Sequence, residues 1–209
     1  MANTTILHRK LILGSSSVYR RELLQRLGIP FSIVSPQVDE SPQVGESPAE
    51  LAQRLALAKA REVASRFPDC VVIGCDQVAD LDGQSLGKPG SHERAVAQLR
   101  QMRGKTVVFH TALAVVCLQS NFCQDAVAPV RVKFRDLSDA DIENYLQAEP
   151  AYDCAGSAKS EGLGIALLAR IDSDDPTALV GLPLIRCSQM LRAAGIDPLD
   201  PLAAGGARP

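Results

Sequence analysis

Residues 71–77 read Val71-Val72-Ile73-Gly74-Cys75-Asp76-Gln77. Five apolar residues in succession suit a strand buried on both faces. The run stops abruptly at Asp76-Gln77. That places a carboxylate at the carboxyl end of a buried strand, where α/β folds bind their ligands.

The flanking sequence builds the same kind of fold around this strand. Upstream, residues 11–13 are a short apolar run, followed by Gly14-Ser15-Ser16-Ser17 and then helical spacing of Leu23, Leu24 and Leu27. This reads as strand, loop and helix, with Gly28-Ile29-Pro30 ending the helix. Residues 31–34 suit a second strand and residues 36–48 a polar, acidic loop. Ser47-Pro48-Ala49-Glu50 is a capping box with proline at the first helical position, so it predicts a helix to about Arg66. Downstream, Asp82-Gly83 signals a hairpin turn between 77–81 and 84–86. A helix over 91–103 ends at Gly104, and 106–118 is a long strand candidate. Val130, Val132 and Phe134 alternate with Arg131, Lys133 and Arg135, the pattern of a half-exposed strand. A capped helix (138–148), a Gly-rich polar loop (154–164), a strand (164–171) and a last helix (182–194) follow. The tail from 197 to 209, rich in Pro, Gly and Ala, reads as disordered. Interleaved strands and helices with one hairpin and no internal repeat predict a single α/β domain with a mixed twisted sheet and flanking helices.

Composition narrows the function classes. A 209-residue chain suits one medium domain or two small lobes around a cleft. A formal net charge of -2 argues against a nucleic-acid polymer as ligand, yet a few Lys and Arg can still converge on a small phosphate. The six cysteines show no CxxC spacing and the three histidines are scattered, which disfavours a zinc site and suits reduced thiols in the cytoplasm. The N-terminus lacks the apolar core of a signal peptide, and no stretch reaches the roughly 18 apolar residues of a membrane span. The expectation is a soluble cytoplasmic protein.

Six segments could carry chemistry. Gly14-Ser15-Ser16-Ser17-Val18-Tyr19-Arg20-Arg21 offers backbone N–H groups, a helix dipole, hydroxyls and guanidinium groups to a phosphate; it fits an ordinary serine cap with two solvated arginines equally well. Lys59 falls inside the apolar arc of its helix, among Leu51, Ala52, Leu55, Ala56 and Val63. It either meets an anion there or snorkels to water. Asp76 suits a metal ligand, a base toward water, or a turn cap. Asp39-Glu40 offers a carboxylate to a hard cation, or is a solvated loop. Gly87-Lys88-Pro89-Gly90 fixes a bend from which Lys88 could reach a phosphate or simply face solvent. Cys154-Ala155-Gly156-Ser157-Ala158-Lys159-Ser160-Glu161-Gly162 is either a flexible surface loop or a close-approach loop in which Glu161 is an acceptor for a nucleobase edge. A Ser/His/Asp triad is not evident, and the Walker A and GxGxxG patterns are absent.

Taken jointly, in order and spacing, these segments resemble the Maf family of nucleotide pyrophosphatases. The likeness runs from about Leu11 to Gly195. It rests on Ser15 to Arg21, Val38-Asp39-Glu40, Arg54-Leu55-Ala56 with Lys59-Ala60, Ile73 to Val78 and Leu86 to Gly90. Cys154 to Ser157, Lys159 to Gly162, Asp175-Pro176 and Gly181-Leu182-Pro183 complete it. The resemblance implies a two-lobed fold around a central cleft, like that of the inosine triphosphatases, and a homodimer. It implies cleavage of a nucleoside triphosphate between the α and β phosphates with Mg²⁺ or Mn²⁺. On the matching positions the resemblance implies Asp76 as the catalytic base, beside Lys59, and Ser15, Arg20, Lys59 and Lys88 as the phosphate cradle, with Arg21 and Lys159 as further candidates. It implies Glu40 and Asp76 as the metal-site carboxylates. The dTTP/UTP branch of the family usually has Arg, Thr and Gln where this chain has Tyr19, Gln77 and Glu161. The present trio resembles the branch acting on 7-methyl-GTP, in a housecleaning role. Glu161 suits the N1 and N2 donors of guanine, and Tyr19 suits a cationic base. The rivals are the same chemistry on dTTP or UTP, and a non-hydrolytic nucleotide-binding regulator of cell division. Val18, Ala112 and Ala158 depart from the usual Pro, Gly and Phe, which bears on pocket shape.

Overall fold

The structure, a computed structural model, describes residues 9–200. The expected disordered tail lies outside the described residues from 201 onward, and residues 197–200 form a turn. A seven-stranded mixed sheet runs in the order β2-β1-β3-β5-β6-β7, with β4 paired to β3. The strands are β1 (Leu11–Gly14), β2 (Phe31–Ile33), β3 (Val71–Leu81), β4 (Gln84–Leu86), β5 (Thr106–Cys117), β6 (Phe122–Phe134) and β7 (Leu168–Asp172). Five helices flank it: α1 (Val18–Gln25), α2 (Pro48–Arg66), α3 (His92–Met102), α4 (Asp139–Ala148) and α5 (Leu184–Ala193).

The Val71–Cys75 run is the centre of the sheet, parallel to β1 on one side and antiparallel to β5 on the other. The strand does not end at Asp76, as its sequence suggests. It continues to Leu81, because β5 pairs with it from Val72 through Asp80. Pairing with β1 stops at Gly14↔Gly74. Between Gly74 and Ala79, where β4 begins to pair, this edge of β3 is open, and the opening puts Asp76 at a cleft.

Three apolar clusters hold the sheet. On one face Leu11, Leu13, Val71, Ile73 and Cys75 pack with Leu23 and Leu24 of α1 and with Cys187 and Leu191 of α5. On the other face Val72, Ala112 and Ala114 pack under Leu55, Ala56, Ala60 and Val63 of α2. The far half of the sheet packs Phe109, Val130, Val132 and Phe134 against α3 and α4 through Leu99, Met102, Ile142 and Leu146. Each fully buried Val, Leu, Ile, Phe or Met among them contributes about 1.5–3 kcal/mol.

Most helix ends follow the sequence signals. Ser47 caps α2 with the reciprocal Glu50 bond, and Ser138 caps α4 with Asp141 in the same way. The Asp82-Gly83 turn has φ of 54° and 84°, the left-handed pair that a two-residue hairpin requires. Three spans differ. β6 begins at Phe122, well before its alternating part, because β5 pairs with it over its whole length while Cys123, Gln124 and Asp125 face solvent. The strand expected from 164 begins only at Leu168, and Leu163–Leu167 is a 3-10 turn. A Cβ on Gly164 would lie 2.5 Å from the backbone N of Lys159, so this turn is wound tightly on the preceding loop. The last helix begins at Leu184, because Pro183 is its cap.

Candidate active site

Gly74 sets the site by letting α2 lie directly on β3. A Cβ there would sit 2.3 Å from the Ala56 carbonyl oxygen. At this closeness Lys59, on the inner face of α2, reaches across to β3. Its Nζ donates to Asp76 Oδ1 at 2.7 Å and lies 2.7 Å from Glu40 Oε1. Lys59 and Asp76 are 6% and 7% exposed. Burying an ammonium is costly without a partner, and here two carboxylates supply one. The inward lysine is therefore an ion-pair centre rather than a snorkelling side chain. Glu40 is largely solvent-exposed and reaches in from the acidic loop.

The Gly14–Ser17 loop crosses the end of β1 beside this pair. Ser15 is buried and its hydroxyl accepts from the Ser17 backbone N–H at 3.2 Å. Ser17 caps α1, accepting from the Arg20 backbone N–H. The Arg20 guanidinium spans the loop. Nε donates to the Gly181 carbonyl at 3.0 Å and Nη1 to Ser15 Oγ at 3.3 Å. The helix N-terminus, a hydroxyl and a fixed guanidinium thus face one space, a setting made for an anion.

That space is a cleft of about 860 Å³. Ser15, Tyr19, Arg20, Glu40, Lys59, Asp76, Gln77, Lys88 and Glu161 all line it. The β3–β4 hairpin delivers Lys88, whose side chain is exposed. Arg21 does not line the cleft. Lys159 stands behind its rim, against Tyr19 and Asp153. Burial pulls the Lys159 ammonium down, but contacts with Tyr19 and Asp153 outweigh it and push it up to about 12. Burial also raises the Tyr19 hydroxyl above its ordinary value. Gln77 has its amide nitrogen committed, donating to Thr111 Oγ1 at 2.8 Å, Ala178 O at 3.1 Å and Leu179 O at 3.0 Å. Its carbonyl oxygen is the part left to meet a ligand.

Several site-forming residues carry weaker sequence signals. Thr111, fully buried, donates to Ala178 O at 2.9 Å; a hydroxyl in the middle of a mainly apolar strand was the available sign. Asp175, also fully buried, accepts from the Arg186 backbone N–H at 3.1 Å and from Thr177 Oγ1 at 3.1 Å. It ties the 175–183 loop to the start of α5 and so fixes the Gly181 carbonyl under Arg20. Cys75 donates to that same carbonyl at 3.0 Å, and burial raises its thiol to about 11. Asp153, at the cleft rim, immediately precedes the Gly-rich loop. Val18, Ala112 and Ala158 occupy the first turn of α1, the position across from Asp76 on β5, and the cleft lining respectively.

The donor set suits a hard divalent cation. Glu40 Oε1 and Asp76 Oδ1 both meet the Lys59 ammonium, and the other oxygens of the two carboxylates are the ones that would take an ion. No group of three His, Cys, Asp or Glu side chains forms a metal cage among the described residues. An ion held here would take its remaining ligands from water and phosphate oxygens, as Mg²⁺ commonly does.

The chain is 71% identical over 188 residues to the 7-methyl-GTP pyrophosphatase of Polaromonas sp. (strain JS666), covering 90% of this chain and 86% of that one. It is 68% identical over 193 residues to the protein of the same name from Albidiferax ferrireducens, covering 92% and 97%. A solved HAM1 protein from Coxiella burnetii aligns over 62% of this chain and 74% of its own with a TM-score of 0.46 and 15% identity, a likeness too weak to argue from. The family model described as Maf-like protein matches residues 10–194, every segment of the site included, and the chain belongs to the Maf family.

Proposed function

We propose that this protein hydrolyses 7-methyl-GTP to the nucleoside monophosphate and pyrophosphate. The observation that carries the reading is the buried Lys59–Asp76 pair at the floor of a cleft whose wall is the Ser15–Arg20 anion loop. The names of its relatives agree with it.

The triphosphate enters with its oxygens against the loop N–H groups, Ser15 and Arg20. Asp76 accepts the proton of a water that attacks the α phosphorus. The bond from the α phosphorus to the bridging oxygen breaks and pyrophosphate leaves. Arg20 and Lys88 meet the charge that develops on it. Lys59 holds the Asp76 carboxylate in one position throughout. Glu40 and Asp76 would hold Mg²⁺ or Mn²⁺, which when bound supplies charge neutralisation at the phosphates.

Base choice follows from charge and hydrogen-bond polarity. Glu161 is an acceptor for the N1 and N2 donors of guanine, whereas the uracil edge presents carbonyl oxygens that repel it. Methylation at N7 makes the base cationic, which favours Tyr19 and a carboxylate-lined wall.

The ligand in this reading is a small nucleotide, not a nucleic-acid polymer. No helix among the described residues is long and apolar enough to cross a membrane. All six cysteines are free thiols, four of them buried, which supports a reducing, cytoplasmic setting. A homodimer belongs to the same reading, with light scattering as its check.

The deciding experiment is pyrophosphate release from a panel of nucleoside triphosphates, 7-methyl-GTP included, with and without Mg²⁺, for the parent and Asp76→Ala. Metal-dependent release from 7-methyl-GTP, lost in the variant, supports substrate and base together. Release only from UTP or dTTP keeps the mechanism and removes the substrate. Binding without release from any nucleotide turns the protein into a regulator.

A further inference from the structure

The mouth of the cleft is closed on one side by three residues from two distant segments. Tyr19, on the first turns of α1, donates its hydroxyl to Asp153 Oδ2 at 3.3 Å. Lys159 Nζ lies 3.4 Å from Asp153 Oδ1 and 5.9 Å from the centre of the Tyr19 ring. It also donates to the Pro150 carbonyl at 3.3 Å. Tyr19 and Asp153 line the cleft, and Lys159 stands behind them.

One ammonium is thus shared by an aromatic face and a carboxylate. That pairing is the recognition chemistry a positively charged base requires. We propose that Tyr19 and Asp153 form the subsite for the cationic base, and that Lys159 is an internal cation which the base displaces. The proposal deepens the 7-methyl-GTP reading and rests on it.

Two positive charges cannot share the ring and carboxylate without repelling each other. Binding therefore moves the Lys159 ammonium off. The backbone does not need to follow. The Lys159 N–H donates to the Tyr145 hydroxyl at 3.0 Å, and only the flexible side chain swings. The Asp153 side chain is 62% exposed, so it can turn from lysine to base without being stranded in a dry pocket. A neutral guanine gains nothing from the exchange. Discrimination between methylated and unmethylated base thus resides at Asp153 and Lys159, while Glu161 selects guanine over uracil.

The two residues should then act in opposite directions. Asp153→Asn removes the anion and should lower the ratio of kcat/KM for 7-methyl-GTP over GTP by about three- to tenfold. Lys159→Met removes the competitor and should lower KM for 7-methyl-GTP by a similar factor, about three- to tenfold, with KM for GTP unmoved. The test is kcat and KM for both nucleotides in the parent, Asp153→Asn, Asp153→Glu and Lys159→Met, with circular dichroism as the folding check. Calorimetric binding of 7-methyl-GMP supplies a readout independent of turnover. Retention of the parent ratio in Asp153→Glu together with the opposed shifts supports the proposal. A KM raised alike for both nucleotides in Lys159→Met overturns it and makes Lys159 a phosphate ligand. A parent that prefers 7-methyl-GTP while every variant keeps its ratio overturns the proposal alone. A parent with no such preference overturns the substrate reading and the proposal with it.

Discussion

Lys59 Nζ and Asp76 Oδ1 stand 2.7 Å apart with both side chains nearly sealed from solvent. The pair couples stability to chemistry. Lys59→Met leaves the Asp76 carboxylate buried without its counter-ion, and should cost about 3–5 kcal/mol in urea unfolding. Asp76→Asn should lower the turnover number at least about a hundredfold. The double variant should recover much of the stability and none of the activity. Wild-type stability in Lys59→Met would show that water had entered to solvate the Asp76 carboxylate.

Gly74→Ala tests whether the close seating of α2 is needed. The new methyl would collide with backbone at Ala56 and Ala60, which cannot turn aside as a side chain would. Overpacking of this kind costs about 1–3 kcal/mol. Because the same shift lifts Lys59 away from Asp76, pyrophosphate release should fall together with the denaturation midpoint. Loss of stability with full activity would separate the two.

Arg20→Lys keeps the charge and loses the fork. One ammonium cannot reproduce both the Nε bond to Gly181 O and the Nη1 bond to Ser15. KM should rise about tenfold or more, equally for every nucleotide. A change confined to one base would place Arg20 at the base rather than the phosphates.

Alkaline stability should report the two buried thiols between α5 and β3. Burial raises Cys75 from 9.0 to about 11, and raises Cys187 as well. The fold favours the protonated form. That contribution is intact below about pH 9 and drains away as pH rises from there through about 11. Cys75→Ser keeps a donor for Gly181 O but does not ionise in this range. Its stability profile over that window should be flatter than the parent's. Equal slopes would mean that other groups govern the alkaline limb.

Local signals made most elements readable and left the gathering of the site to tertiary contacts. The capping boxes at Ser47 and Ser138 and the Asp82-Gly83 turn are local codes, and each is used as written. Lys59 was legible because a charge inside an apolar arc must find a partner. Which partner depended on Gly74, whose role is the absence of a side chain. Asp76 was correctly noticed and misplaced along its strand, since only pairing with β5 reveals that β3 continues. Gly181 gave no local cue to its work, because its carbonyl joins the late loop to Arg20 and Cys75 far back in the chain; Asp175 works within its own segment, on Thr177 and Arg186.

The cluster that packs Leu11, Leu13 and Leu23 is closed by Leu182, Cys187, Leu191 and Ile196. On the ribosome β1 therefore waits for α5. A nascent chain halted after β7 would expose the underside of β1 and α1, a surface suited to chaperone capture. Limited proteolysis of a chain ending at Asp172 should cut within α1, where the full chain resists. Arrival of α5, rather than emergence of Asp76, is then the event that completes the site.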